Sequence, residues 1–265
     1  MSNTHLESAR EFTIGSVLGR TKTILFAQPL MFMGLAFLTL VPTILTRLLG
    51  NNESIEALGN LLNFILTMVI QGAFAYGVFQ VLMGYPASFG TSLSRGMRRF
   101  FSIVGTSILI VLGITLGAVL PLLPGVFLQL PVLLIVGMLL DAFLIPWFMC
   151  KWAVAIPACV VEHLGPIDSL SRSSELTKGY RPKILGLQSL VYLLIFISLF
   201  VLVMIYAFLL TLVAPFVGKL IALLGLAAVL SLPVAFLNVT YTTMYYDLRS
   251  AKEGVTVDSL ANVFD

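Results

Sequence analysis

Six stretches of the chain stay apolar for about the 20 residues needed to cross hydrocarbon: 28–48, 61–83, 101–121, 134–160, 184–213 and 220–246. None alternates as a barrel strand would. Backbone amides in lipid must pair within their own segment or around a closed barrel, so these runs predict helices and an all-α, polytopic membrane fold. Between Phe101 and Val161 only Asp141 and Lys151 are charged, and three crossings would fit by length. Two are expected, because a third would move the basic 172–183 loop to the opposite side. The surplus, from Pro121-Leu122-Leu123-Pro124-Gly125 to Pro131, is then an interfacial or re-entrant turn.

The polar stretches that separate pairs of apolar runs share a pattern, x-Leu-small-Arg. It occurs as Val17-Leu18-Gly19-Arg20, Ser92-Leu93-Ser94-Arg95 and Ser169-Leu170-Ser171-Arg172, with a degenerate copy at Ser259-Leu260-Ala261-Asn262. The arginines fall about 75 residues apart, the length of one short segment plus two crossings. Three hairpin units are expected, 12–85, 86–163 and 164–250, followed by a tail at 251–265. Each hairpin is preceded by a short amphipathic segment; the one at Ile167–Leu176 opens with the helix-start signal Gly165-Pro166. Such helices are expected to lie in the headgroup plane with Arg and Lys towards lipid phosphate, or else to be ordinary helical connectors. Units of two crossings enter the membrane with the same orientation, which allows a parallel repeat about a pseudo-threefold axis. Mitochondrial carriers share that plan, but their Pro-x-acid-x-x-basic signature is absent, so no transport activity follows from it.

Composition agrees with the pattern: 59% of residues are hydrophobic, 10% charged, and the mean hydropathy is +1.05. A soluble domain carries about 25% charged residues, so this chain cannot cover itself with a water-facing surface. The placement of the basic residues is more informative than the net charge of +3. Arg10, Arg20 and Lys22 precede the first crossing; Arg95, Arg98 and Arg99 follow the second. Arg172, Lys178, Arg181 and Lys183 follow the fourth, and Arg249 and Lys252 the sixth. The opposite loops hold Arg47, Lys219 and the acidic stretch around Glu53 and Glu56. This positive-inside pattern predicts an inner-membrane protein with both termini cytoplasmic. A cysteine at position 52 should then be labelled from outside, and cysteines at 96 and 174 should not. The first 23 residues do not read as a cleavable signal peptide.

Polar residues within the apolar runs are the candidate intramembrane sites. A carboxylate at bilayer centre costs roughly 2.5–3.5 kcal/mol, so Asp141 reads as a proton or cation site or as an interfacial carboxylate near the outer face. Lys151, beside Trp152, is placed to snorkel. Asn63, Thr67 and Gln71 share a stripe on the second crossing; Asn238, Thr242 and Tyr245 share one on the sixth. Such stripes commonly join helices and otherwise line a polar pathway. Gly113 and Gly117 form a small-xxx-small contact motif, and Cys150 and Cys159 read as small apolar residues on a buried helix.

Catalytic arrangements do not emerge. The two histidines, His5 and His163, fall outside the bilayer core, and no zinc-protease, dinucleotide or phosphate-loop motif is present. Glu162, Asp168, Glu175 and Asp247 read as scattered loop carboxylates, solvated partners of nearby arginines. The expected function is therefore non-catalytic, without cofactor or metal. The expected partners are anionic lipids of the cytoplasmic leaflet, together with a protein partner or a second copy of the chain, and not nucleic acid. Arg20, Arg95, Arg172 and Arg249 are the candidate rim residues, each capping carbonyls or gripping lipid phosphate with a fork that Lys cannot reproduce. The alternative is a small transporter or channel with a pathway between the hairpins, using Asp141, Asn63 and Gln71.

Two stretches carry a family resemblance. One runs from Pro157-Ala158-Cys159-Val160-Val161-Glu162-His163-Leu164-Gly165-Pro166 through Ser169-Leu170-Ser171-Arg172-Ser173 to Leu176-Thr177-Lys178-Gly179. The other is Tyr245-Tyr246-Asp247-Leu248-Arg249 followed by Lys252-Glu253-Gly254. Together they resemble the bacterial multi-pass family labelled as the membrane domain of glycerophosphoryl diester phosphodiesterase. In fused relatives the chemistry belongs to a separate barrel domain that this sequence lacks. The resemblance thus implies a membrane module and no hydrolase activity.

Overall fold

The computed structural model describes residues 12–49, 52–213 and 218–254. His5, Arg10, Asn51 and the degenerate copy at 259–262 lie outside the described residues, as does most of the 251–265 tail. Every described element is a helix, and six are long and apolar enough to cross a membrane. In chain order the first elements are α1 (Ile14–Ala27), α2 (Pro29–Leu49), α3 (Glu53–Leu82), α4 (Phe89–Arg98) and α5 (Phe100–Val119). They are followed by α6 (Leu123–Phe127), α7 (Pro131–Lys151), α8 (Ala155–Val161), α9 (Pro166–Thr177), α10 (Arg181–Val213) and α11 (Lys219–Glu253). The spans are α2, α3, α5, α7 continued by α8, α10 and α11. The surplus between the third and fourth spans is α6, a single turn closed tightly on α7, where a Cβ at Gly125 would lie 2.6 Å from the Leu134 backbone nitrogen.

Local chemistry sets the boundaries. Thr13 caps α1 by accepting from the Ser16 amide at 3.1 Å. Asn52 caps α3, accepting from Ser54 at 3.0 Å, with Glu53 and Glu56 in the favourable first turn. Pro166 occupies the first turn of α9 behind Gly165, and Gly254 ends α11 in the left-handed conformation, φ 63°.

α11 is the hub, packed against α1, α2, α3, α8, α9 and α10. Its half nearest Arg249 is inside one core cluster with Phe12, Val17, Phe79, Leu176 and Leu187. A second cluster joins Phe32, Leu35, Ile70 and Phe74 to Val239. Away from that end, apolar side chains face outward. Phe196 is 70% exposed and Phe143 80%, a distribution that water would penalise and lipid accepts.

The fourth span is broken, and its sequence explains the break. Pro157 has no N–H to give to the Ala153 carbonyl and its ring crowds that oxygen. The chain leaves α7 through a turn at 152–154 before resuming as α8. The freed backbone groups are met by α9. Ser173 Oγ donates to the Lys151 carbonyl at 3.0 Å and accepts from the Val154 amide at 3.3 Å, while Thr177 Oγ1 donates to Lys151 O at 3.3 Å. The buried face of α9 is therefore Ser169, Ser173, Leu176 and Thr177, while Ile167 is 74% exposed. The helix docks on the bundle through small hydroxyl residues. Replacing Ser173 by Val should cost about 1 kcal/mol, read as a lower melting temperature in detergent; an unchanged value would contradict this role.

Candidate functional site

The end of the bundle that carries the basic residues is organised around Glu162, the residue that ends α8. Arg172 Nε reaches both of its carboxylate oxygens, at 2.8 and 2.9 Å, and Arg172 Nη2 reaches Glu253 Oε1 at 2.5 Å. Arg249 Nε bridges Glu253 at 3.1 Å and Glu162 at 3.8 Å. The buried Tyr245 hydroxyl donates to Glu162 Oε1 at 2.6 Å and accepts from Arg249 Nη1 at 3.2 Å. Burial alone would lower the Arg172 pKa. The hydrogen bonds and charges of Glu162 and Glu253 outweigh it and raise the pKa further above its usual value. The network ties α8 and α9 to α11.

A parallel pair ties α1 to α11. Arg20 Nη1 contacts Asp247 Oδ1 at 2.9 Å and its guanidinium lies 4.6 Å from the Tyr246 ring centroid, while Ser16 Oγ donates to Asp247 Oδ2 at 3.1 Å. Asp247, expected as a solvated loop carboxylate, is instead 6% exposed within α11. Helical placement next to Arg20 explains why an acid survives there. The guanidiniums of Arg20, Arg172 and Arg249 thus meet carboxylates among the described residues.

Arg95 differs. With Arg98, Arg99, Tyr76, Val160 and His163 it lines a cavity of about 270 Å³. Arg95 sits over the Tyr76 ring at 5.5 Å, and Arg99 Nη1 donates to the His163 carbonyl at 3.4 Å. No acid pairs with these three arginines among the described residues. The pocket exists because α4 lies very close to α3. A Cβ at Gly96 would fall 2.3 Å from Val69 O, so only glycine permits that approach.

A second cavity, about 400 Å³, lies between α3, α5, the α7–α8 break, α10 and α11. It joins the two polar stripes: Thr67 and Gln71 from α3, with Asn238 and Thr242 from α11. Tyr245, grouped with the second stripe by sequence, turns to Glu162 instead. Two lining residues went unnoticed in the sequence, Gln188 and Tyr241. Gln188 Nε2 donates to Tyr241 OH at 3.4 Å, and Cys150 Sγ donates to Gln188 Oε1 at 3.4 Å. Tyr241 and Tyr192 hydroxyls meet at 2.9 Å.

The remaining candidates lie elsewhere. Asn63 does not line the cavity; its Oδ1 accepts from Thr67 Oγ1 at 3.3 Å. Asp141 is buried on α7 with Oδ1 unpaired, outside the cavity. Lys151 lies over the Trp147 and Trp152 rings at 5.0 and 5.4 Å. Of the three residues expected along a polar pathway, Gln71 lines the central cavity, whereas Asp141 and Asn63 do not. Gly113 and Gly117, expected to seat a neighbouring helix, are covered by Trp152 and Phe148.

No family model, curated protein or solved structure matches the chain.

Proposed function

We propose that the chain is a non-catalytic module of the bacterial inner membrane that holds anionic lipid phosphate at its cytoplasmic rim, in the Arg95–Arg98–Arg99 pocket. The observation that carries this reading is three guanidiniums around one cavity with no carboxylate to neutralise them among the described residues. Arginine forks suit phosphate oxygens, and anionic lipid supplies phosphate at this depth. The short helices α1, α4 and α9, each ahead of a pair of spans, support the three-unit repeat, and the basic rim supports a cytoplasmic orientation. The likeness of the 157–179 and 245–254 motifs to the phosphodiesterase membrane domain fits a module without its own chemistry.

Phosphatidylglycerol added to the detergent-solubilised protein should raise its melting temperature by a few degrees more than phosphatidylcholine does. The difference should shrink in high salt and vanish in Arg98→Gln/Arg99→Gln. Equal stabilisation by both lipids would overturn the reading. The orientation has its own test in a Cys-free background. Asn52→Cys should react with an impermeant maleimide from outside, whereas Ser94→Cys and Ser171→Cys should not; labelling at 94 or 171 would reverse the topology. Position 96 is unsuitable for that probe because its Cβ has no room.

A further inference from the structure

The central cavity is a ligand site of a different chemistry from the arginine rim. We propose that it binds an uncharged, hydroxyl-bearing amphiphile of the membrane, a neutral lipid alcohol or acylglycerol, with the head among Gln71, Gln188, Asn238 and Tyr241.

Depth is the first argument. Asn238 and Thr242 precede Arg249 by eleven and seven residues, roughly 10–17 Å along the helix. Gln188 follows Arg181 by seven residues, roughly 10 Å. The polar groups therefore sit below the basic rim and inside the apolar spans, at a level lipid molecules reach without leaving the bilayer. At about 400 Å³ the cavity is within the size range of small-molecule sites.

Chemistry selects the ligand. None of the lining residues is charged, so a charged head would be stripped of water without a counter-ion, which is costly. Three carboxamides and a phenol from three helices instead offer both donors and acceptors. Several of these groups are poorly satisfied: Gln188 Nε2 reaches Met149 O and Tyr241 OH at 3.5 and 3.4 Å, both long, and Gln71 Oε1 is buried without a partner. A polar stripe serving only to join helices would leave no cavity between its members and would satisfy its own amides. Phe148 and Trp152, with ring centroids 4.9 Å apart, furnish an apolar wall for the chain of the ligand. The α7–α8 break makes the room, because a helix running straight through 152–154 would carry its side chains along a different line.

The chain contains two tryptophans, and Trp152 lines the cavity while Trp147 does not. Full-length Trp147→Phe protein in detergent therefore reports on the site through Trp152 fluorescence. The probes are 9,10-dibromostearyl alcohol and the corresponding monoacylglycerol, compared with dibromostearate at pH 9. At least one neutral probe should quench saturably, and the two together distinguish an alcohol from an acylglycerol. Dibromostearate should quench at least fivefold more weakly. Gln71→Leu and Asn238→Leu, tested singly, should each weaken neutral-probe binding by about fivefold. Linear, partition-like quenching by all three probes in the unsubstituted site would overturn the proposal whether or not the leucine variants fold. Saturable quenching that both leucine variants leave unchanged would also overturn it.

Discussion

Glu162→Ala is expected to cost about 3 kcal/mol of stability, seen as the largest fall in melting temperature among single substitutions of the charged network. Removing this carboxylate leaves Arg172, Arg249 and the Tyr245 hydroxyl without their common partner. The Arg172 and Glu162 side chains are 21% and 15% exposed, so water can compensate only in part. Glu162→Gln, which keeps the shape and loses the charge, should fall between Ala and the parent. Glu253→Ala should cost less, because that side chain is 30% exposed and half of its pairing is an i,i+4 contact within α11. Arg172→Lys should also lower the melting temperature, since one ammonium cannot reproduce contacts from Nε and Nη2 to two different acids. A Glu253→Ala loss equal to or greater than that of Glu162→Ala would show that the network is not centred where the geometry puts it.

A comparable effect is expected at a residue with no side chain. Gly96→Ala puts a methyl 2.3 Å from Val69 O and 2.7 Å from the Ala73 nitrogen. Both are backbone atoms of α3 that cannot rotate aside, so the two helices must separate. Overpacking of this kind costs about 3 kcal/mol or more, and the separation should also dismantle the arginine pocket that α4 builds. Gly90→Ala, on the same helix but with nothing within 4 Å, should be within about 0.5 kcal/mol of the parent. Melting curves of the two variants in one detergent check the contrast. Equal melting temperatures would mean that α4 is not held at the distance described.

The six spans were legible because apolar length alone determines what can cross hydrocarbon, and the break between α7 and α8 was hidden because that signal is indifferent to a turn inside it. Pro157 was the visible sign of the break, but the partners that make it tolerable, Ser173 and Thr177, lie on another helix. Helical periodicity found the stripes through Thr67 and Gln71 and through Asn238 and Thr242. It could not show that they face each other across one cavity, nor that Gln188 from α10 completes it. The rim arginines were recognised by spacing, yet spacing carries no information about acids distant in sequence. Arg20 meets Asp247 and Arg172 meets Glu162 and Glu253 only after the chain folds. Arg95 is the copy whose acid partner never arrives among the described residues, and that difference, invisible in the motif, is what the proposed phosphate site rests on.

The most direct measurement is native mass spectrometry of the protein released from micelles containing phosphatidylglycerol, with lipid adducts counted for the parent and for Arg95→Gln/Arg98→Gln/Arg99→Gln. Arg20→Gln, Arg172→Gln and Arg249→Gln, whose guanidiniums are already paired, serve as the comparison set. The expected result is a tightly retained anionic lipid on the parent that the triple variant loses and the comparison variants that remain folded keep. Retention of the same number of lipids by the triple variant and the parent would contradict a phosphate site at this pocket.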